Sequence, residues 1–325
     1  MKRRSLIALA ATTLVATSPL VTFASESQAI KIIVPFAAGG TTDIIARIFA
    51  PLLSARLAQP VVVENIPGAG GSTGTKRIAD AKADGLTLGM ATVSAFAANP
   101  ALNPDKVGYD PLKSFTPLMN IAATPNVIAV RKDFPANTFS EFVAVVKRNP
   151  GKFNFATSGV GSLGHLQMEA VKGELGLHIV HIPFAGAAPA INSVVSGQGP
   201  EIIFDQLPSI KNHILNGKLK LIVVASDRRL VMPLDKSPTF GELGYSALNR
   251  AAWYGLVSPA GLPPAEAKRI GDAMEGIMSD FGARRKIEDT GSVVTGHNAE
   301  RFAKTIKAEL EAAQATVKSR NIKLQ

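Results

Sequence analysis

The chain has no cysteine among its 325 residues, which removes disulfide frameworks, thiolate nucleophiles and cysteine-ligated metals from consideration. Charge is sparse, with Asp, Glu, Lys and Arg making up 18%, and no dense Lys/Arg run occurs. Nucleic-acid binding, which draws on clustered cations, is therefore not expected. Beyond the N-terminus no stretch is apolar enough for the roughly 20 residues of a membrane span. The five histidines lack metal-ligand spacing, so neither a metal nor a cofactor is called for. What is present is ordinary for a globular protein: 46% hydrophobic residues and a length that fits two domains.

The N-terminus carries its own message. Met1-Lys2-Arg3-Arg4 is a short basic region, Ser5 to Thr17 is apolar and uncharged, and Thr22-Phe23-Ala24 offers an A-x-A-like cleavage site. This is the layout of a secretory signal peptide, so residues 1–24 are expected to be cleaved and the remainder exported. The formal net charge is +10, and losing Lys2, Arg3 and Arg4 leaves +7. That excess is either a plain basic surface or a mild steering field for small anions.

From Ile30 onward, short β-rich runs alternate with amphipathic segments. Lys31 to Pro35 reads as a buried strand, and Thr41 or Thr42 can cap the helix that follows. In that helix Ile44, Ile45, Ile48, Phe49, Leu52 and Leu53 form one apolar face, and Pro51 is expected to kink it. The grammar continues with a strand at Pro60 to Glu64, a helix near Thr75 to Ala83 and a strand at Leu86 to Leu88. It resumes with strands at Asn126 to Val130, Phe153 to Thr157, Ile179 to Pro183 and Lys220 to Ala225. Thr138-Phe139-Ser140-Glu141 has capping-box spacing, His165 to Leu175 reads as a helix, and the tail from about Pro263 is mainly helical. Strands and helices with short connections predict parallel sheets covered on both faces. Ile32 to Gly39 also echoes Val180 to Gly186, modest support for two similar lobes.

Three glycine-rich loops follow strands, where open parallel sheets bind ligands and helix N-termini offer free amides to anions. Gly159-Val160-Gly161-Ser162-Leu163-Gly164 has dinucleotide-loop spacing, but the next strand ends at Pro183-Phe184-Ala185-Gly186 without the ribose-binding acid. Gly70-Gly71-Ser72-Thr73-Gly74 matches a nucleophile elbow, yet Asn65 to Ala69 hold the motif away from its strand, so a helix cap or ligand contact fits better. His165 lies at the start of a helix just after Ser162, as a cap or a ligand contact. His178 and His181 would face opposite sides of a strand. Asp43 suits the first-turn dipole. Asp205 ends the apolar run Ile202-Ile203-Phe204 and needs a backbone N–H or a polar ligand group as partner.

Taken in order, several stretches resemble the Bug-type receptors of tripartite tricarboxylate transporters. They are Pro35 to Asp43, Gln59 to Gly71, Asp84 to Leu88, Tyr109 to Pro117, Ser158 to Ser162 with His165-Leu166, Pro238 to Gly244, Trp253 to Leu256 and Pro259 to Pro263. The resemblance implies an α/β, two-lobed periplasmic binding protein fold of type II, each lobe a mainly parallel sheet flanked by helices, with two crossover strands. Those crossings are expected near Asn126 to Val130 and Trp253 to Ser258. Lobe 1 would comprise residues 25–127 and 254–325, and lobe 2 residues 128–253. It implies a periplasmic, non-enzymatic, monomeric receptor that captures a small carboxylate and delivers it to membrane permease subunits.

Carried over to this chain, the ligand contacts would be Phe36, Ala37, Ala38, Gly39, Gly40, Thr41 and Thr42, facing Thr157, Ser158, Gly161, Ser162 and His165. Gly71, Ser72, Phe184, Gly186 and Asp205 complete the candidate set. The chain departs from the family at Phe184-Ala185-Gly186, where a tyrosine, a basic residue and a glycine are usual, and this leaves room for a more apolar ligand. Two alternatives use the same layers: a sensory receptor reporting the bound acid, and a hydrolase with Ser72 as nucleophile.

Overall fold

A computed structural model describes residues 28–319, so the expected signal segment lies outside the described residues. The first half of the chain runs β1 (Ile30–Val34), α1 (Thr41–Leu57), β2 (Val61–Asn65), α2 (Ser72–Ala79), β3 (Thr87–Thr92), α3 (Asn99–Leu102), β4 (Phe115–Thr124) and β5 (Asn126–Arg131). Then follow α4 (Phe139–Arg148), β6 (Asn154–Thr157), α5 (Leu163–Leu175), β7 (Val180–Pro183), α6 (Ala187–Ser196), β8 (Ile202–Gln206), α7 (Leu207–Leu215) and β9 (Leu219–Ala225). The chain closes with β10 (Ala252–Pro259), α8 (Pro264–Ser279), α9 (Phe281–Glu288), β11 (Val293–Asn298) and α10 (Ala299–Ser319).

The strands form two sheets, ordered β11-β4-β10-β3-β1-β2 and β7-β6-β8-β5-β9. The chain leaves the first sheet for the second at Pro125, between β4 and β5, and returns between Ala225 and Ala252. Within each lobe, strands joined by a crossover helix are parallel: β1 with β2 and β3, and β6 with β7 and β8. β5 and β10, which enter from the other lobe against the local strand direction, are antiparallel to both neighbours, and the edge strand β11 is antiparallel to β4. Each sheet is thus mainly parallel in strand direction, with β10 and β11 reversed in the first and β5 reversed in the second.

The two sheets share one plan, with the order second, first, third, incoming, fourth strand: β2-β1-β3-β10-β4 and β7-β6-β8-β5-β9. On that plan the counterpart of β1 is β6. The echo between Ile32 to Gly39 and Val180 to Gly186 therefore pairs a first strand with a second one and is not a lobe repeat. The two echoing loops instead meet face to face: a Cβ added at Gly186 would lie 2.7 Å from the Ala37 Cβ.

Local sequence explains the elements that carry the site. α1 buries Ile45, Phe49 and Leu53 completely and runs unbroken through Pro51, which sits on its exposed side where the lost hydrogen bond frees a carbonyl to water. Its N-cap position is Gly40 with no side-chain cap, so neither Thr41 nor Thr42 takes the expected capping role. At α4 both arms of the Thr138–Glu141 capping box form. Lobe 2 reaches into the core of lobe 1 through α5, whose Leu163 and Leu166 join the cluster that holds Phe96 and Trp253.

Candidate functional site

The β1–α1 loop is held rigid from behind. Asp43 is 3% exposed and accepts hydrogen bonds from the Gly39 amide at 2.9 Å, from Asn65 Nδ2 at 2.9 Å and from Arg47 Nε at 2.9 Å. Burial works against its charge, but the Arg47, Gly39 and Asn65 hydrogen bonds outweigh it and hold the carboxyl below the usual carboxylate range. Asn65 also donates to the Phe36 carbonyl at 3.1 Å. Asp43, Arg47 and Asn65 thus form a brace that fixes the loop from Phe36 to Gly40.

In front of that brace, between the lobes, lies a cavity of about 20 Å³, lined by Phe36, Gly40, Thr41, Thr42, Thr92, Ser94, Ser158, Ala187, Gln206 and Tyr254. Thr41 Oγ1 is buried there without a hydrogen-bond partner in the protein. It and the Thr124 hydroxyl face the Tyr254 hydroxyl without forming a well-aligned bond. Burial, and then the nearby Asp205 carboxyl, push the Tyr254 phenol upward, so it remains a neutral donor at any physiological pH. The amides in the first turns of α1 and α6 have no intrahelical acceptor, and both helices begin at this cavity without a side-chain cap.

A second cavity of about 240 Å³ opens outward and shares Phe36 and Ser158 with the first. Gly68, Ala69, Gly70 and Gly71 line one side, and Gly159, Val160, Pro183, Phe184 and Ala185 the other. The lobes touch around it. The Leu163 amide, at the start of α5, donates across the cleft to Ser94 Oγ at 2.9 Å. Gly161, at φ +80°, lies so close to the Asn99 side-chain amide that a Cβ would collide with it.

The structure therefore brings Phe36, Gly40, Thr41, Thr42 and Ser158 to the inner cavity, and Gly71 and Phe184 to the outer one. Ala37 and Gly186 serve the loop-to-loop contact, while Ala38 and Gly39 are exposed. Ser162 caps α5, accepting from the His165 amide at 3.3 Å. Thr157 supports the Gly159 turn and bonds His181 Nε2 at 2.7 Å.

Three candidates point elsewhere. Ser72 Oγ is captured by Asn99 Nδ2 at 2.5 Å and lies 3.5 Å from the Tyr109 hydroxyl; it caps nothing, because α2 takes Gly71 as its N-cap. His165 accepts the Gly161 amide on Nδ1 at 3.3 Å and stacks on His181 at 4.1 Å. It lines an adjoining groove of about 450 Å³ with Glu169, Lys172, His178 and His181, which shares Val160 and Pro183 with the outer cavity. His178 precedes β7, so both histidines reach this groove, contrary to the opposite faces expected on a strand. Burial first, then His165 and Lys172, lower the His181 pKa to about 3. Asp205, 2% exposed, accepts from Ser209 Oγ at 3.0 Å and from the Gln206 amide, and burial pushes its pKa up to about 6.

Sequence reasoning missed Thr92, Ser94, Gln206, Tyr254 and Ala187. They arrive from β3 and the helical turn after it, from β8, from β10 and from α6, and only Tyr254 lay within a stretch already singled out, Trp253 to Leu256.

The comparisons with known proteins agree with this geometry. The model described as "Tripartite tricarboxylate transporter family receptor" matches residues 45–322. The chain belongs to this family. Protein BugT of Bordetella pertussis is 34% identical over 240 residues, 73% of this chain and 72% of the relative. A solved structure described as a periplasmic transporter is 44% identical, with a TM-score of 0.89 over 93% of this chain and 100% of its own. MatC (Rpa3494) of Rhodopseudomonas palustris, solved with bound malate, is 30% identical with a TM-score of 0.84, covering 89% of this chain and 98% of its own. The family is one of solute-binding receptors, so membership replaces the hydrolase alternative and leaves Ser72 a structural residue.

Proposed function

We propose that the mature chain is a periplasmic receptor that captures a small carboxylate between its lobes and passes it to the membrane permease of a tripartite tricarboxylate-type transporter. The carrying observation is the inner cavity, where the uncapped starts of α1 and α6 meet a buried Thr41 hydroxyl that has no protein partner. Neutral donors and helix N-termini suit a carboxylate, since hydrogen bonds to a charged group contribute about 1.5–3 kcal/mol each. Three or four such bonds are comparable with the roughly 8 kcal/mol of micromolar affinity before ordering costs. The malate held by a relative of the same fold supports the ligand class. Export rests on the signal-like segment 1–24, and the lobe limits 25–127 with 254–325 and 128–253 follow the same reading. A clamp of this kind works as a monomer.

Thermal melting of the mature protein, denatured and refolded to strip copurified ligand, tests the reading against mono-, di- and tricarboxylates and amino acids. Ligand at 100 times its dissociation constant adds about 2.7 kcal/mol, a shift of several degrees at this size. An acid that raises the midpoint supports capture, and loss of its uptake in cells lacking the receptor supports delivery. A flat response across the panel refutes carboxylate capture.

A further inference from the structure

One absence in the cleft bears on ligand class. Among the described residues, neither the inner nor the outer cavity is lined by a lysine, arginine, histidine, aspartate or glutamate. The nearby charges are engaged elsewhere. Arg47 is tied to Asp43 and Asn65 behind the loop, Lys172 pairs with Glu169 at 2.7 Å in the adjoining groove beyond Val160 and Pro183, and Asp205 is turned to Ser209 and the Gln206 amide.

The two cavities also differ in character. The inner one offers hydroxyls of Thr41, Thr42, Thr92, Ser94, Ser158 and Tyr254, together with helix-start amides, enough for one carboxylate. The outer one presents Phe36, Phe184, Val160, Pro183, Ala69 and Ala185 over a glycine-rich backbone. A second carboxylate placed there would lose part of its hydration without gaining a cation, and an ammonium without gaining an anion; both are costly.

We infer that this cleft takes a monocarboxylic acid with an uncharged, apolar body, its carboxylate in the inner cavity and its body between Phe36 and Phe184. The inference rests on the receptor reading above and narrows it, excluding dicarboxylates and amino acids as preferred ligands.

Calorimetric titration of refolded mature protein with matched pairs, hexanoate against adipate and benzoate against terephthalate, tests it. Phenylalanine and citrate complete the set. The expected result is that a monoacid binds and its diacid binds at least 30-fold more weakly. A diacid, citrate or phenylalanine that binds as well as or better than the monoacids overturns this inference while leaving the receptor reading intact. Heat from none of these acids overturns both. In the variant Ala185→Arg, at the exposed edge of the outer cavity, the ratio of diacid to monoacid affinity is expected to rise at least tenfold. An unchanged ratio in that variant would also overturn the placement of the body.

Discussion

Thr41→Val separates the two roles a buried hydroxyl can have. Valine keeps the shape of threonine and replaces the hydroxyl by a methyl group. Thr41 is 2% exposed and its Oγ1 has no hydrogen-bond partner in the protein, so no fold-supporting bond is lost. A buried hydroxyl left unpaired costs about 1–3 kcal/mol, so the unliganded variant should be as stable as the parent or up to about 1 kcal/mol more so. At this chain length that is a rise of about 2 °C in the melting midpoint. The ligand-bound state should behave oppositely. A hydrogen bond to a carboxylate contributes about 1.5–3 kcal/mol, which converts to roughly 10- to 150-fold weaker binding. Melting curves without ligand, paired with calorimetric titration of whichever acid binds the parent, read both effects from one preparation. A variant that binds as tightly as the parent would refute the assignment of Thr41 to the ligand. A loss of about 2 kcal/mol without ligand would show that the hydroxyl does support the fold.

Two further outcomes follow from the cleft and its surroundings. Ser94→Ala removes the interlobe bond from the Leu163 amide; at about 0.5–1.5 kcal/mol for a neutral hydrogen bond, ligand affinity should fall roughly 2- to 12-fold, and unchanged affinity would mean the bond is absent from the ligand-bound form. The pH dependence of urea unfolding should carry two opposed contributions. His181, lowered to about 3, gives stability that is complete above pH 6.5 and is lost as pH falls toward 3, so His181→Phe should flatten the rise of stability with pH. Asp205, raised to about 6, gives stability that is present below 3.8 and lost as pH rises through 6, so Asp205→Asn should steepen the same rise. Slopes that move in the same direction would refute the two environments described.

The layers of the fold were legible because their signals are local. β1 and β2 are short β-branched runs, the Thr138 capping box lies within four residues, and the glycine loops interrupt a strand-to-helix step. The reversal of β5 and β10 was not, because these strands take their direction from the other lobe, which no window of sequence records. β11 went unnoticed inside a helical tail, since Val293–Asn298 is a short edge strand holding a glycine at φ +57°. The two glycine loops announced their place at the cleft, yet the side chains opposite them did not: Thr92 is a lone polar residue closing β3, and Gln206 follows the more conspicuous Asp205 at the end of β8. Ser72 misled for the converse reason. Its motif is local, but Asn99 captures the hydroxyl from 27 residues away.

The shared strand plan also fixes the order in which the molecule can be completed. All five strands of the second sheet lie between Asn126 and Ala225, so that sheet can assemble from one uninterrupted segment. The first sheet cannot. β3 pairs with β10 across an intervening stretch that contains the whole of the other lobe, and such distant pairings are slow to form because the loop must close first. The N-terminal strands are made first and finished last. A chain ending after β9 would hold a complete second sheet beside a three-stranded remnant of β2, β1 and β3, with an open edge where β10 belongs and a ready template for association with other chains.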